Sequence, residues 1–490
     1  MTYQILLLSS LLIVSIASAD VGQGAFVHLF EWKWSDVAQE CEDFLGPMGY
    51  QGVQVSPAME HITGDFWWTR YQPVSYTLTS RSGDESEFKD MVNRCNQAGV
   101  GVIADAVINH MAASPSGTQQ GTAGTDYYGR QFSPYNYNAG LMHHTSSDST
   151  NCAVNNYNDA DNVQQCDLDG LVDLDYENDD VQSIVASYLD KLINIGVKGI
   201  RVDAAKHIRS SSLSAMLNKV SSNPWRFHEV IYGAGEAVQP EDYVSLGQVT
   251  EFRFGTNLFN QFKNGAQDTM QYLSNFGADW GMLDSNDAVT FTDNHDTQRS
   301  SSNVMTYKMG QNYNLANYFM LAHPYGHPKV MSSYYFTDVN AGPPGSPVHS
   351  GDNDVDCGNG NTWVCEHRRG GIANMALFRL ATIGTNITNW QQDKTNGNQI
   401  AFSRGSLGFF AINMDETQTW KDVTLNTNMK DGMYCNAIIA DDVFFHASKV
   451  PKSSDGCSDN QEVIEVHDGQ VTVSVPPLGA LAIHIGAMSL

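Results

Sequence analysis

Short runs of β-branched and aromatic residues recur along the chain, each closing on polar residues: Ala25 to Phe30, Gly52 to Pro57, Gly101 to Asn109, Gly199 to Asp203, Phe227 to Ile231, Gln248 to Phe252, Val289 to Asp293 and Lys329 to Ser332. Helical patterns lie between several of them. Val181, Ile184, Val185, Tyr188, Leu189, Leu192 and Ile193 repeat at i, i+3, i+4, i+7 spacing behind Asp179 and Asp180, acids suited to a helix N-terminus. Glu85 to Ala98 is a second such pattern. Continuous apolar strands alternating with amphipathic helices predict a parallel sheet, and eight strands over roughly 300 residues predict a closed (β/α)8 barrel. Two regions break the rhythm. Residues 110 to 172 are rich in Gly, Ser, Asn, Asp and Tyr, with no clear helix. A stretch this long predicts an inserted domain after the third strand. Beyond residue 385, alternating runs such as Gln399 to Ser403, Gly408 to Asn413, Gln470 to Val475 and Ala480 to Ile485 predict an antiparallel C-terminal β-sandwich domain. The expected division is a barrel over 20–108 and 174–385, an insert over 109–173 and a β domain over 386–490.

The first residues form a sorting signal. Ile5 to Ile16 is almost wholly apolar and Ala17-Ser18-Ala19 follows as a small-x-small cleavage site, so residues 1–19 are expected to be a signal peptide and the mature protein a secreted, soluble one. Eight cysteines agree with export: Cys41, Cys95, Cys152, Cys166, Cys357, Cys365, Cys435 and Cys457. Eight cysteines allow about 105 pairings. Proximity in sequence favours Cys152–Cys166, Cys357–Cys365 and Cys435–Cys457, which leaves Cys41–Cys95. Their spacing does not resemble a zinc site.

Charge narrows the partners. Lys plus Arg total 27 against 54 Asp plus Glu, a net charge of −27. That excess opposes binding to a polyanion or to an anionic membrane surface. Rings are abundant, with 21 Tyr, 21 Phe and 9 Trp, so a neutral, hydroxyl-rich ligand stacked on aromatic faces fits better.

In such a barrel the chemistry sits at the C-terminal ends of the strands. The third strand ends in Asp105-Ala106-Val107-Ile108-Asn109-His110, the fourth in Arg201-Val202-Asp203-Ala204-Ala205-Lys206-His207, and the seventh in Phe291-Thr292-Asp293-Asn294-His295-Asp296. The fifth leads to Gly233-Ala234-Gly235-Glu236. Asp203, Glu236 and Asp296 thus come from three strands toward one axis. A carboxylate pair around one substrate is what retaining glycoside hydrolysis requires, one ionised as nucleophile and one protonated as acid. Arg201, two residues before Asp203 and on the same side of its strand, would hold Asp203 ionised. Singly, each residue reads first as a helix cap or a surface group; the ordered set does not.

These segments resemble the animal-type α-amylases, within the α-amylase family of barrel glycoside hydrolases. The resemblance extends over the mature chain and includes His28-Leu29-Phe30-Glu31-Trp32-Lys33-Trp34, Gly52-Val53-Gln54-Val55-Ser56-Pro57, Trp67-Trp68-Thr69-Arg70-Tyr71-Gln72-Pro73, His323-Pro324-Tyr325-Gly326 and Trp363-Val364-Cys365-Glu366-His367-Arg368. It implies endo-hydrolysis of α-1,4-glucosidic bonds in starch, glycogen and malto-oligosaccharides by a monomer. Asp203 would be the nucleophile, Glu236 the acid and base, and Asp296 a binder of substrate hydroxyls. His110 and His295 would bond the same sugar, Lys206 and His207 the sugar on the leaving side, and Trp67, Trp68 and Tyr71 would form a stacking wall.

The resemblance also implies two ions. Calcium would be held by Asn109, Asp173 and the main-chain carbonyls of Gln164 and His207, where relatives often carry Arg in place of Gln164. Chloride would be held by Arg201, Asn294 and Lys329, where many relatives carry Arg in place of Lys329. Asp296-Thr297-Gln298-Arg299 runs into Ser300-Ser301-Ser302-Asn303 without the glycines that relatives often carry, so a shortened loop and a more open cleft are expected. Two other functions compete: a silent binding relative, which the presence of all three acids disfavours, and a sibling α-glucosidase or glucan transferase, which only a product profile separates.

Overall fold

The computed structural model describes residues 21–132, 139–144, 152–263, 269–350, 354–439, 444–445, 457 and 461–489; the expected signal peptide lies outside them. Eight strands close a barrel: β1 (Phe26–Leu29), β2 (Gly52–Val55), β3 (Gly101–Ala106), β4 (Gly199–Val202), β5 (Trp225–His228), β6 (Gln248–Thr250), β7 (Ala288–Thr290) and β8 (His327–Ser332). Each pairs with its neighbours in chain order, all parallel, and β8 returns to β1. Inside, Phe26, Ile103, Phe227 and Val289 meet in one apolar layer, as the interdigitating interior of such a barrel requires. The helix Asp179–Ile195 begins on Asn178, whose side chain accepts the Asp180 N–H, and ends on Gly196 at φ 115°. Its stripe Val181, Val185, Tyr188, Leu189 and Leu192 is buried. The helix Glu85–Gln97 opens with a reciprocal capping box between Asp84 and Glu87.

The segment between β3 and the helix Asp179–Ile195 is tied at its base by the antiparallel pair His110–Ala113 and Leu171–Asp173. Its described residues include a short α-helix, Ala160–Gln165, where the composition predicted none; Asp159 caps it by accepting the N–H groups of Asp161 and Asn162. All four expected disulfides are present.

In the C-terminal domain the strands Ile387–Gln392, Gln399–Arg404, Gly408–Asn413 and Gly479–His484 form an antiparallel sheet. Its two central strands are buried on both faces. Ile400, Phe402, Phe410 and Ile412 pack into the barrel's core, while Ala401, Phe409, Ala411 and Ile483 pack into the domain's own. The period-2 alternation therefore sorts residues between two cores rather than between core and water.

Candidate functional site

One buried guanidinium organises the barrel's C-terminal rim. Arg201, on β4 and only 2% exposed, donates from Nη1 to Asp105 Oδ1 at 2.5 Å and to Asp203 Oδ1 at 2.9 Å, while Nη2 lies 2.7 Å from Glu229 Oε1. Tyr71 donates its hydroxyl to the other oxygen of Asp105 at 3.0 Å. The ladder carries Asp203 and Glu229 to the same level, because Asp203 N–H donates to Ala106 O and Glu229 N–H to Val202 O. Ala204 follows in the left-handed region at φ 46°, unusual for a residue with a Cβ. That turn aims its N–H at Glu229 Oε2, 3.0 Å away. The strained position thus helps to fix a carboxylate, as such outliers do at functional sites.

Above this floor opens a cleft of about 530 Å³ lined by Trp67, Trp68, Tyr71, His110, Asp203, Lys206, His207, Glu229, Glu236, His295 and Asp296. Ten of these eleven are sequence-predicted; Glu229 is not. Tyr71 stacks on His295 with ring centroids 5.1 Å apart, and Trp67 meets the same imidazole edge-on at 5.7 Å. His295 Nε2 lies 3.3 Å from Asp296. His110 pairs through Nε2 with Tyr71 O at 3.0 Å, and His207 through Nδ1 with Val163 O at 2.8 Å. Arg201 does not line the cleft: it lies beneath it and acts on the carboxylates.

Glu236 stands differently from the other acids. It lies seven residues beyond Glu229, past the turn in which Glu236 N–H bonds Gly233 O, and its side chain is 25% exposed. There it accepts a hydrogen bond from the Lys206 ammonium, which also donates to Ile231 O at 2.7 Å. No bond joins it to Arg201 among the described residues. The strand-end acid of β5 is Glu229, because β5 stops at His228. The apolar pair Val230-Ile231 makes the run look longer in sequence and hides Glu229 inside it. The signal available was the parity of the strand: Phe227 faces the barrel interior, so Glu229 does too.

Burial dominates the electrostatics. It pushes Asp203 well above the usual carboxylate range, with Glu229 and Asp105 adding like charge and Arg201 opposing. Asp296 is pushed up to about 7 by burial and by Glu229, against Arg201 and Arg299. Burial likewise raises Asp105. The histidines move the other way: burial lowers His110 to about 4, and lowers His207 and His295 as well, so all three are neutral near pH 7. Arg201 opposes the upward shift at Asp203 without outweighing burial, where the sequence led us to expect it to hold Asp203 ionised.

Arg299, three residues beyond Asp296, was not singled out by the sequence. Its guanidinium sits 4.3 Å from the Phe336 ring and 5.2–5.3 Å from those of Phe30, Trp67 and Tyr334, and donates to His295 O at 2.7 Å. It joins the stacking wall to the β7 loop by cation–π contact.

The expected ion ligands are buried except Gln164, which is half-buried. Lys329 on β8 is 2% exposed, lies 4.5 Å over the Phe291 ring, and has no carboxylate within 4.0 Å among the described residues. Burial and the neighbouring Arg201 bring it down to about 7. Asn294 uses its carbonyl oxygen for the N–H groups of Asp296 and Thr297, leaving its amide group for an acceptor. At the insert, Asn109 and Asp173 are each 1% exposed and adjacent, with Leu174 N–H bonded to Asn109 O. Asp173 Oδ2 is taken by His143, and burial pushes Asp173 up to about 7. The bond from His207 to Val163 O and that from Gln164 Nε2 to Tyr243 bring Gln164 beside the β4 loop.

Residues 39–331 match the α-amylase catalytic domain and residues 390–486 the α-amylase C-terminal all-β domain. An α-amylase of Tenebrio molitor is 42% identical over 490 residues, covering 95% of this chain and 98% of that protein. An α-amylase-related protein of Drosophila melanogaster is 44% identical over 434 residues, covering 85% and 86%. The crystal structure of α-amylase I from Eisenia fetida superposes with a TM-score of 0.83 at 36% identity, covering 95% of this chain and 97% of that one. A glutamate-to-glutamine variant of that enzyme, solved with maltohexaose, matches equally well. The chain belongs to the α-amylase family of glycoside hydrolases.

Proposed function

We propose that this chain is a secreted, monomeric, endo-acting α-amylase that cleaves α-1,4-glucosidic bonds of starch, glycogen and malto-oligosaccharides with retention of configuration. The observation that carries this reading is the single Arg201 fork holding Asp203 and Glu229 side by side at the cleft floor. A shared guanidinium that holds both carboxyl groups supports a close pair, which retention requires at about 5–5.5 Å. Asp203 attacks the anomeric carbon as the bond to the leaving oxygen breaks, and Glu229 gives that oxygen its proton. Glu229 then takes a proton from water, which displaces Asp203. Glu229, not Glu236, holds this role. Glu236 and Lys206 form a charged pair at the cleft rim suited to sugar hydroxyls, and Asp296 with His295 serves the sugar at the cleavage point. Arg201 positions the carboxylates without touching sugar. The barrel strands all fall within residues 26–332, which supports the division into barrel, insert and C-terminal domain given above.

The donor sets fit both ions. Asn109, Asp173 Oδ1 and the carbonyls of Gln164 and His207 offer the oxygen ligands calcium prefers, tying insert to barrel. Arg201 and Lys329, two buried cations that repel each other, and the spare amide of Asn294 fit an anion. Chloride bound there would supply a fixed negative charge beneath the cleft floor. Lys329 offers a point charge rather than a fork, so exchange is expected to be fast.

The reading is tested by following maltoheptaose hydrolysis with proton NMR while measuring starch viscosity. Products should appear first as the α-anomer, and viscosity should fall ahead of reducing-end release. Initial β-anomer, or glucose released mainly from chain ends, overturns it.

A further inference from the structure

The aromatic wall continues past the cleft. Phe66 immediately precedes the turn Trp67–Tyr71, and its ring stacks on Trp68 with centroids 5.3 Å apart and planes at 23°. Trp68 lines the cleft, whereas Phe66 is 46% exposed. A lone exposed ring is ordinary, but this one stands on a pinned backbone. Its carbonyl accepts hydrogen bonds from Arg81 Nη2 at 2.9 Å and Thr69 Oγ1 at 2.8 Å. Arg81 is itself held 3.5 Å from the buried carboxylate of Glu31. Beside it, Gly342 comes so near that a Cβ there would lie 1.8 Å from Asp65 O, and the Trp67 indole N–H donates to Val339 O at 2.9 Å. A ring already fixed in place loses little freedom when a ligand stacks on it.

We propose that Phe66, backed by Trp68, is an outer stacking subsite that takes the apolar face of a glucosyl unit from chains reaching beyond the cleft. The proposal rests on the reading of the cleft as an α-glucan site and adds a determinant of chain-length preference to it. A pyranose suits the place because it presents C–H groups to the ring and carries no charge to be repelled by a chain of net charge −27.

The test compares wild type with Phe66→Ala, Phe66→Leu and Phe66→Tyr on maltoheptaose and on an aryl α-maltotrioside, with thermal melts as a folding control. A ring contact of this class corresponds to about three- to tenfold in kcat/KM. Phe66→Ala and Phe66→Leu should lose that factor on maltoheptaose through KM, shift its cleavage pattern, and stay within twofold on the short substrate; Phe66→Tyr should restore wild-type values. Equal losses on both substrates, or none on either in variants that melt normally, overturn the proposal. Failure of wild type to cleave either substrate would instead overturn the reading of the site itself.

Discussion

Exchanging Glu229 for Gln removes the proton donor and one of the charges that face Arg201, with little change of shape. The amide keeps an oxygen for Arg201 Nη2 or for the Ala204 N–H, and the side chain is no larger. General acid catalysis contributes about 10²–10⁴-fold, so kcat on soluble starch should fall by that factor, about 3–5.5 kcal/mol at 1.36 kcal/mol per tenfold. Glu236→Gln breaks only a part-exposed pair with Lys206, whose ammonium keeps Ile231 O. Pairs of that kind are worth about 0–1 kcal/mol, so its effect should stay within about fivefold and fall mainly on KM. Initial rates of reducing-end release measure both. An aryl maltoside with an acidic phenol needs less protonation to depart, so the Glu229→Gln deficit in its first step should shrink while any deficit of Glu236→Gln should not. If Glu236→Gln lost two or more orders of magnitude while Glu229→Gln stayed near wild type, the assignment made from Arg201's geometry would be wrong.

Two further outcomes follow from buried charge. Wild-type activity should drop about tenfold in chloride-free buffer, about 1.4 kcal/mol in the barrier, and Lys329→Gln should be indifferent to the salt; equal wild-type rates with and without chloride would remove the anion role. Asp293, fully buried and accepting from Thr292, Gln298 and Tyr313, is pushed from 3.8 up to about 7 by burial and by Glu366. Because the folded state holds this proton more tightly, the stability it contributes is complete below 3.8 and is lost as pH rises through about 7. Denaturant melts of Asp293→Asn against wild type should therefore shift in the variant's favour by up to about 4 kcal/mol between pH 4 and pH 8; a pH-independent difference would refute this.

Much of the architecture follows from local pattern. The apolar runs marked eight parallel strands because a strand covered on both faces has no polar face to show, and neighbouring cysteines marked the disulfides because short loops close easily. Asp203 stood out because it follows an apolar strand directly, and Asp296 because it closes the polar run Asp293-Asn294-His295-Asp296 after another. Arg299 and Phe66 carried no such mark: one owes its place to rings contributed by distant segments, Phe30, Trp67, Tyr334 and Phe336, the other to Arg81 and to a glycine far along the chain, Gly342.

By itself, the order of residues determined which elements form, their parallel succession and the segments from which the acids come. Only the closed barrel decided which acids meet. Hydropathy cannot tell where a hydrogen-bonded ladder stops, and β5 stops at His228 although Val230 and Ile231 are apolar. That end point brings Glu229 against Arg201 and leaves Glu236 to Lys206 at the rim, because strand pairing and barrel curvature, not side-chain type, set the level at which each carboxylate reaches the floor.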